Sequence, residues 1–324
     1  MLASRGPASK CYDDRAMNRL SKHGYIHTGM GHHYVSRCYL AGFTSDGTRD
    51  GKVHAFDLSN RRVWQTNTIE IAHENGFNAV DGQDRESLEK RLSEFEHEVA
   101  PILKRIREHR VLPEGEARLK LMQFVAVLAI RNPVNRRRQS TLETDVLLAS
   151  LRFYLTTAER WSALLMDLAL DEASPLAKLT FEEAKAIIKP EEWEVKNHPA
   201  AFHEIEFHQV DMVTRFLMAR NWILMHAPPG IEVITHDNPV VPLPDGVPGN
   251  MPYGLGSGSA IAFPISSELV LFGRFGQPEA SLEVADKSIA AINVMVFQRA
   301  SRFAYARSNT FDFLTNTDTI ERYP

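Results

Sequence analysis

Cysteine is nearly absent from this chain of 324 residues, which holds only Cys11 and Cys38. Two cysteines outside any CxxC pair exclude a disulfide framework and a paired-thiol zinc or redox site, and point to a reducing compartment. Long apolar runs are missing too. No stretch of about 18 apolar residues occurs, and the first 30 residues lack the apolar core of a secretory signal, so neither spanning a membrane nor secretion is expected. Positive charge is not in excess: the formal net charge is −4, which argues against coating nucleic acid through overall charge. Also lacking are a GxSxG elbow, a phosphate-binding GxxxxGK[ST] sequence and a dinucleotide GxGxxG fingerprint. A soluble cytoplasmic protein without a membrane partner is the expectation, and most familiar enzyme classes lack support.

What is present is ordinary globular composition, with 44% apolar and 24% charged residues. Residues 1–30 mix Arg, Lys, Ser and Gly without apolar periodicity and read as a flexible extension. Residues 31–324 read as one α+β domain. It opens with a small β segment, in which KVHAFDL and RRVWQTN flank Ser59-Asn60 as a hairpin. A central helical block follows over about residues 84–226. Its first helix is capped by Asp84 and carries Leu88, Leu92, Phe95, Val99, Leu103 and Ile106 at steps of three and four. Pro101 lies inside that stripe, predicting a kink or two helices in series. The next helix spans about Pro113 to Ile130 and buries Leu119, Met122, Val125, Ala126 and Ala129. A long one over about Ser140 to Leu170 is apolar on several sides and reads as central. Thr180 and Glu183 form a capping box, and the last helix of the block runs from about Pro199 to Met225. Beyond Ala227-Pro-Pro-Gly230 the runs IEVITHD, AIAFPIS and ELVLFGRF read as antiparallel strands. A helix from about Leu282 to Arg307 closes the chain.

Three segments carry a family resemblance: His33-Tyr-Val-Ser-Arg37-Cys-Tyr39-Leu-Ala-Gly-Phe43, Thr235-His-Asp237-Asn238-Pro239-Val240, and the closing Asn293 to Arg307 helix. Their order resembles the family catalogued as domain of unknown function 4238, found mostly in bacteria. Ser36 stands where that pattern has proline, and His236 where it has serine. The resemblance implies no settled activity, only that both motifs belong to one domain.

Two constellations could carry chemistry. His236-Asp237-Asn238-Pro239 ends an apolar run, and a carboxylate at a rigid strand end can hold Mg²⁺ or Mn²⁺ or orient a histidine. Asp-Asn-Pro is equally a turn sequence. His32, His33, Tyr34 and Arg37 place an acid or base, a phenol and a phosphate fork within six residues. On an extended segment His33 and Arg37 share a face; the same residues could instead satisfy buried partners inside the fold. Arg131, Arg136, Arg137 and Arg138 form the best local basic patch, either a solvated helix end or a backbone phosphate contact. Glu204, His208 and Asp211 have helical spacing for a metal but also for a solvated face. Gly254-Leu-Gly256-Ser-Gly258 reads as a flexible connection.

The expectation drawn from these residues is a phosphodiester hydrolase, a nuclease acting on RNA or DNA, in bacterial defence or as a toxin. His33 and Asp237 stand at its reacting centre, Arg37 binds phosphate and Asn238 orients the site. Arg131, Arg136, Arg137, Tyr34, His32 and His236 contact substrate. The alternative is a non-catalytic binding or scaffold protein.

Overall fold

The computed structural model describes residues 31–75, 77, 78, 87–168, 174–189, 199–243, 255 and 260–323. The extension over residues 1–30, the capping role of Asp84 and the glycine-rich connection around Gly254 lie outside the described residues.

The fold is α+β, with mostly antiparallel sheets. The chain enters through β1 (Gly31–His33), then turns at the buried Ser36 into the short helix α1 (Arg37–Leu40). His33 and Arg37 are therefore not on one extended strand. A hairpin follows, β2 (Lys52–Asp57) and β3 (Arg62–Asn67), whose turn is fixed by Asp57 Oδ1 accepting the amides of Ser59 and Asn60. The short β4 (His73–Asn75) pairs back on β1.

Helix α2 (Ser87–His109) runs as a single helix through Pro101. Helix α3 (Gly115–Ile130) packs beside it and buries Met122, Val125, Ala126 and Ala129; Leu119 was expected on that face but is 40% exposed. The expected long central helix is two helices at the periphery. Helix α4 (Pro133–Tyr154) starts at the Asn132 cap and ends before Thr157, whose side chain caps α5 (Ala158–Asp167). The short α6 (Phe181–Ile187) carries the capping box Thr180–Glu183, and Trp161, Ala184 and Ile188 form a small core of their own. Helix α7 (Pro199–Met218) stops earlier than its apolar periodicity predicts. The following Asn221–His226 is strand β5, because Trp222 and Leu224 alternate inward from a sheet rather than around a helix.

Ile231, Val233 and Ile234 are buried without forming a strand, and of this run only the two-residue β6 (Thr235–His236) pairs in a sheet. Strand β7 (Val241–Leu243) leads to the hairpin β8 (Ala260–Ser266) and β9 (Leu269–Arg274), and then to β10 (Ala280–Glu283). These assemble as a five-stranded sheet in the order β10-β5-β9-β8-β7, in which β10 and β5 pair in parallel and the other described pairs are antiparallel. The closing segment is shorter in helix than its sequence suggests. Helix α8 (Asp286–Arg299) gives way to β11 (Phe303–Ala306) and to a terminal hairpin, β12 (Phe311–Leu314) with β13 (Ile320–Tyr323). Strand β11 inserts between β2 and β6, so one sheet, ordered β3-β2-β11-β6, unites the beginning and end of the fold.

Close packing between β5 and β9 depends on one glycine. Gly273 lies opposite Trp222, and a Cβ there would stand 2.6 Å from the indole Cζ3. Trp222 is buried and its Nε1 donates to Leu217 O at 3.0 Å, so the ring has nowhere to move. Gly273→Ala should cost about 1–3 kcal/mol through overpacking, read as a lower urea midpoint; an unchanged midpoint would show that the ring yields.

Candidate functional site

A cleft with about 70 Å³ of free space opens between the β1–α1 turn and helices α2 and α3. That holds several waters or one phosphate-sized group. Its wall includes His33, Tyr34, Arg37, Glu89, Glu96 and Arg131, so the turn at Ser36 still brings His33 and Arg37 to one place.

His33 Nδ1 lies 3.1 Å from Ile71 O. A carbonyl only accepts, so Nδ1 carries the proton and Nε2 keeps its lone pair. Burial pulls the His33 pKa down to about 4, helped by His73 and Arg37. Its imidazole is neutral at physiological pH and able to accept a proton. Glu96 moves the other way: burial holds its carboxyl above the ordinary range, against the pull of Ser36 and Arg49. Burial thus favours the uncharged form of both groups, an imidazole with a lone pair at His33 and a carboxyl more readily protonated at Glu96. Arg37 is anchored by Asp50 and reaches Thr68 Oγ1 at 3.4 Å. Burial, with the charges of Asp237 and Glu74, raises the Tyr34 phenol, so Tyr34 stays protonated beside Phe77. His32 points its Nδ1 at the Asn78 amide, 2.9 Å away.

Arg131 reaches the cleft from a buried network. Its Nε donates to Glu206 at 3.2 Å and its Nη2 to Asn78 Oδ1 at 2.6 Å, while Asn78 donates in turn to Glu89. Arg136 grips the same Glu206 at 2.6 and 2.8 Å and stacks its guanidinium 3.7 Å over Phe77. The basic run is therefore divided, contrary to its reading as one substrate-holding patch. Arg131 and Arg136 neutralise a buried carboxylate, and only Arg137 and Arg138 face solvent, Arg137 within 4.0 Å of Glu74.

The His236–Asn238 motif sits elsewhere and does not line the cleft. Asp237 is buried and its carboxylate accepts three backbone amides, Ser301 and Arg302 at 2.8 Å and Phe303 at 3.0 Å. Burial alone would raise its pKa, but His236 and these amides hold it below the usual carboxylate range. His236 is wholly buried, and burial lowers its pKa; its Nδ1 accepts the Asn238 amide at 3.1 Å. Asn238 connects to the helical block through Asn132, 3.3 Å away.

A family model described as Protein of unknown function (DUF4238) matches residues 31–310. The chain belongs to this family. No curated protein and no solved structure matches it. The match covers both motifs of this DUF4238 chain and every residue that lines the cleft. Glu89, Glu96, Asn78 and Arg49 of the cleft, and Glu206 behind it, are absent from the sequence-based site. One signal for Glu96 was legible: it lies four residues after Leu92 and three before Val99, inside the apolar stripe of α2.

Among the described residues no group of three His, Cys, Asp or Glu side chains is placed to hold a metal ion, and the Glu204 side chain lies outside them. Likewise, no described helix is long and apolar enough to cross a membrane. Cys38 is buried with its thiol pushed up to about 11 by burial, which removes it as a nucleophile.

Proposed function

We propose that the chain is a phosphodiester hydrolase, a nuclease acting on RNA or DNA, with its reacting centre in this cleft. One observation carries the reading: a neutral His33 with a free Nε2 and a Glu96 carboxyl raised by burial line the same small polar space as Arg37 and Arg49. His33 Nε2 takes a proton from the attacking hydroxyl, the 2′-OH of RNA or a water, as its oxygen bonds to phosphorus. The bond to the leaving oxygen breaks, and Glu96 gives that oxygen its proton. Arg37 and Arg49 balance charge on the phosphoryl oxygens. The cleft admits a phosphate group and leaves the bases outside. Asp237 then acts as a positioning residue for the strand it locks, and Mg²⁺ or Mn²⁺ is a variable of the assay. A place in the bacterial cytoplasm, in defence or as a toxin, belongs to the same proposal.

Cleavage of mixed labelled RNA and DNA by the full chain, with and without Mg²⁺ or Mn²⁺, tests it. His33→Ala and Glu96→Gln should each lower the rate roughly 10²–10⁴-fold while melting near the wild type. Activity should fall as pH drops through about 4, where His33 gains a proton and can no longer accept one. Wild-type protein inert under every condition would sink the nuclease reading. The second reading, a non-catalytic binding or scaffold protein, would then stand. It is favoured by the commitment of Asp237, Arg131 and Arg136 to internal hydrogen bonds.

A further inference from the structure

Helix α4 is tied to the body in its first turn, where Arg136 grips Glu206, and beyond that packs mainly on α5. Its apolar residues are left largely uncovered: Leu142 is 64%, Val146 57% and Phe153 52% exposed, and Ala149 is also exposed. These four step by four, three and four residues, the spacing of a seam between two packed helices. Polar residues flank the seam unevenly. Asp145 and Arg152, one heptad apart, fall on the same side of it with opposite charge.

That arrangement is self-complementary in one orientation only. When two copies of a helix pair antiparallel about a two-fold axis, the same flanks face each other with their order reversed. With Val146 against the partner's Ala149 and Leu142 against the partner's Phe153, Asp145 comes opposite the partner's Arg152, and the contact occurs twice. A parallel pairing gives neither match. We infer that the α4 seam is the docking surface for a second copy of this chain, making an antiparallel two-fold dimer through Leu142, Val146, Ala149 and Phe153. This holds whether or not the cleft is catalytic.

Sedimentation of the full chain across a dilution series is the test. The expected result is a species of twice 36.6 kDa that dissociates on dilution. Because Val146 is exposed, Val146→Glu should abolish the dimer while melting like the wild type at dilutions where both are monomeric. Asp145→Arg and Arg152→Asp should each weaken it about tenfold, and the two together should restore it. A monomer at every concentration up to about 100 μM would overturn the inference. So would a dimer indifferent to Val146→Glu, or a double charge reversal that fails to restore association.

Discussion

Asp237→Ala should cost roughly 3 kcal/mol or more, enough to lower the urea midpoint severely, although the residue stands in a turn. The reason is what the carboxylate is bonded to. It accepts the amides of Ser301, Arg302 and Phe303, the three residues that carry the chain from α8 into β11. Alanine leaves all three donors without it. Asp237→Asn keeps the shape but turns one acceptor into a donor facing amides, so it should recover little. The pH dependence has a definite sign. The folded pKa of Asp237 lies below its ordinary value, so its contribution is complete above about pH 4 and is lost as pH falls through the folded value. Urea titrations at neutral pH and near pH 2.5 should therefore show the gap between wild type and Asp237→Asn shrinking in acid. A gap that is small at neutral pH, or constant across pH, would mean that the amides find water and that Asp237 is dispensable to the fold.

Glu206→Ala should be as damaging, by about 3–5 kcal/mol, through the opposite fault. Here the residues left behind are charged. Arg131 and Glu206 are both almost fully buried, and Arg136 closes the other side of the carboxylate at 2.6 Å. Removing this carboxylate leaves the two guanidinium groups it bridges without it, with Arg131 buried away from solvent. Glu206→Gln retains two polar atoms but no charge, so it should fall between alanine and wild type. Arg131→Leu in the Glu206→Leu background separates the pairing from the burial: an apolar pair of similar size should regain much of the loss. Thermal melts of the single and double variants check this. Additive losses would show that the two residues do not act as a unit.

The periodic parts of the fold were legible, and the reason the others were not is visible in particular residues. Apolar steps of three and four placed α2, and β-branched and aromatic runs bounded by turn residues placed β2 and β9, the latter buried on both faces over Leu269, Val270 and Leu271. Asn221–Met225 misled because a short apolar run after a helix has no period of its own. Its strand character comes from β9 and β10 on either side. The run Val233–Ile234 is buried by its surroundings rather than by pairing. Helix α4 misled in the other sense: its many apolar residues suggested a core, yet only Pro133 is buried in it. At the candidate site, His33, Tyr34 and Arg37 were read from local chemistry and do line one cleft. Asp237 was read as part of the same centre because a strand-end carboxylate looks alike whether it faces a ligand or the amides of β11. Glu206 gave no signal, since a glutamate on a helix is ordinarily solvated and its two arginine partners lie 75 and 70 positions away.

The insertion of β11 between β2 and β6 also governs when the protein can exist at all. Asp57 pairs with Phe303, so the edge of the opening hairpin stays unmatched while almost 250 residues are being made. At roughly 5–20 residues per second of synthesis, that is an interval on the order of ten to fifty seconds in which an open strand edge is a liability for aggregation. The Asp237 lock forms only after the same strand arrives. A chain cut off just after α8 would thus have every described helix complete and no β11 to hold the first hairpin.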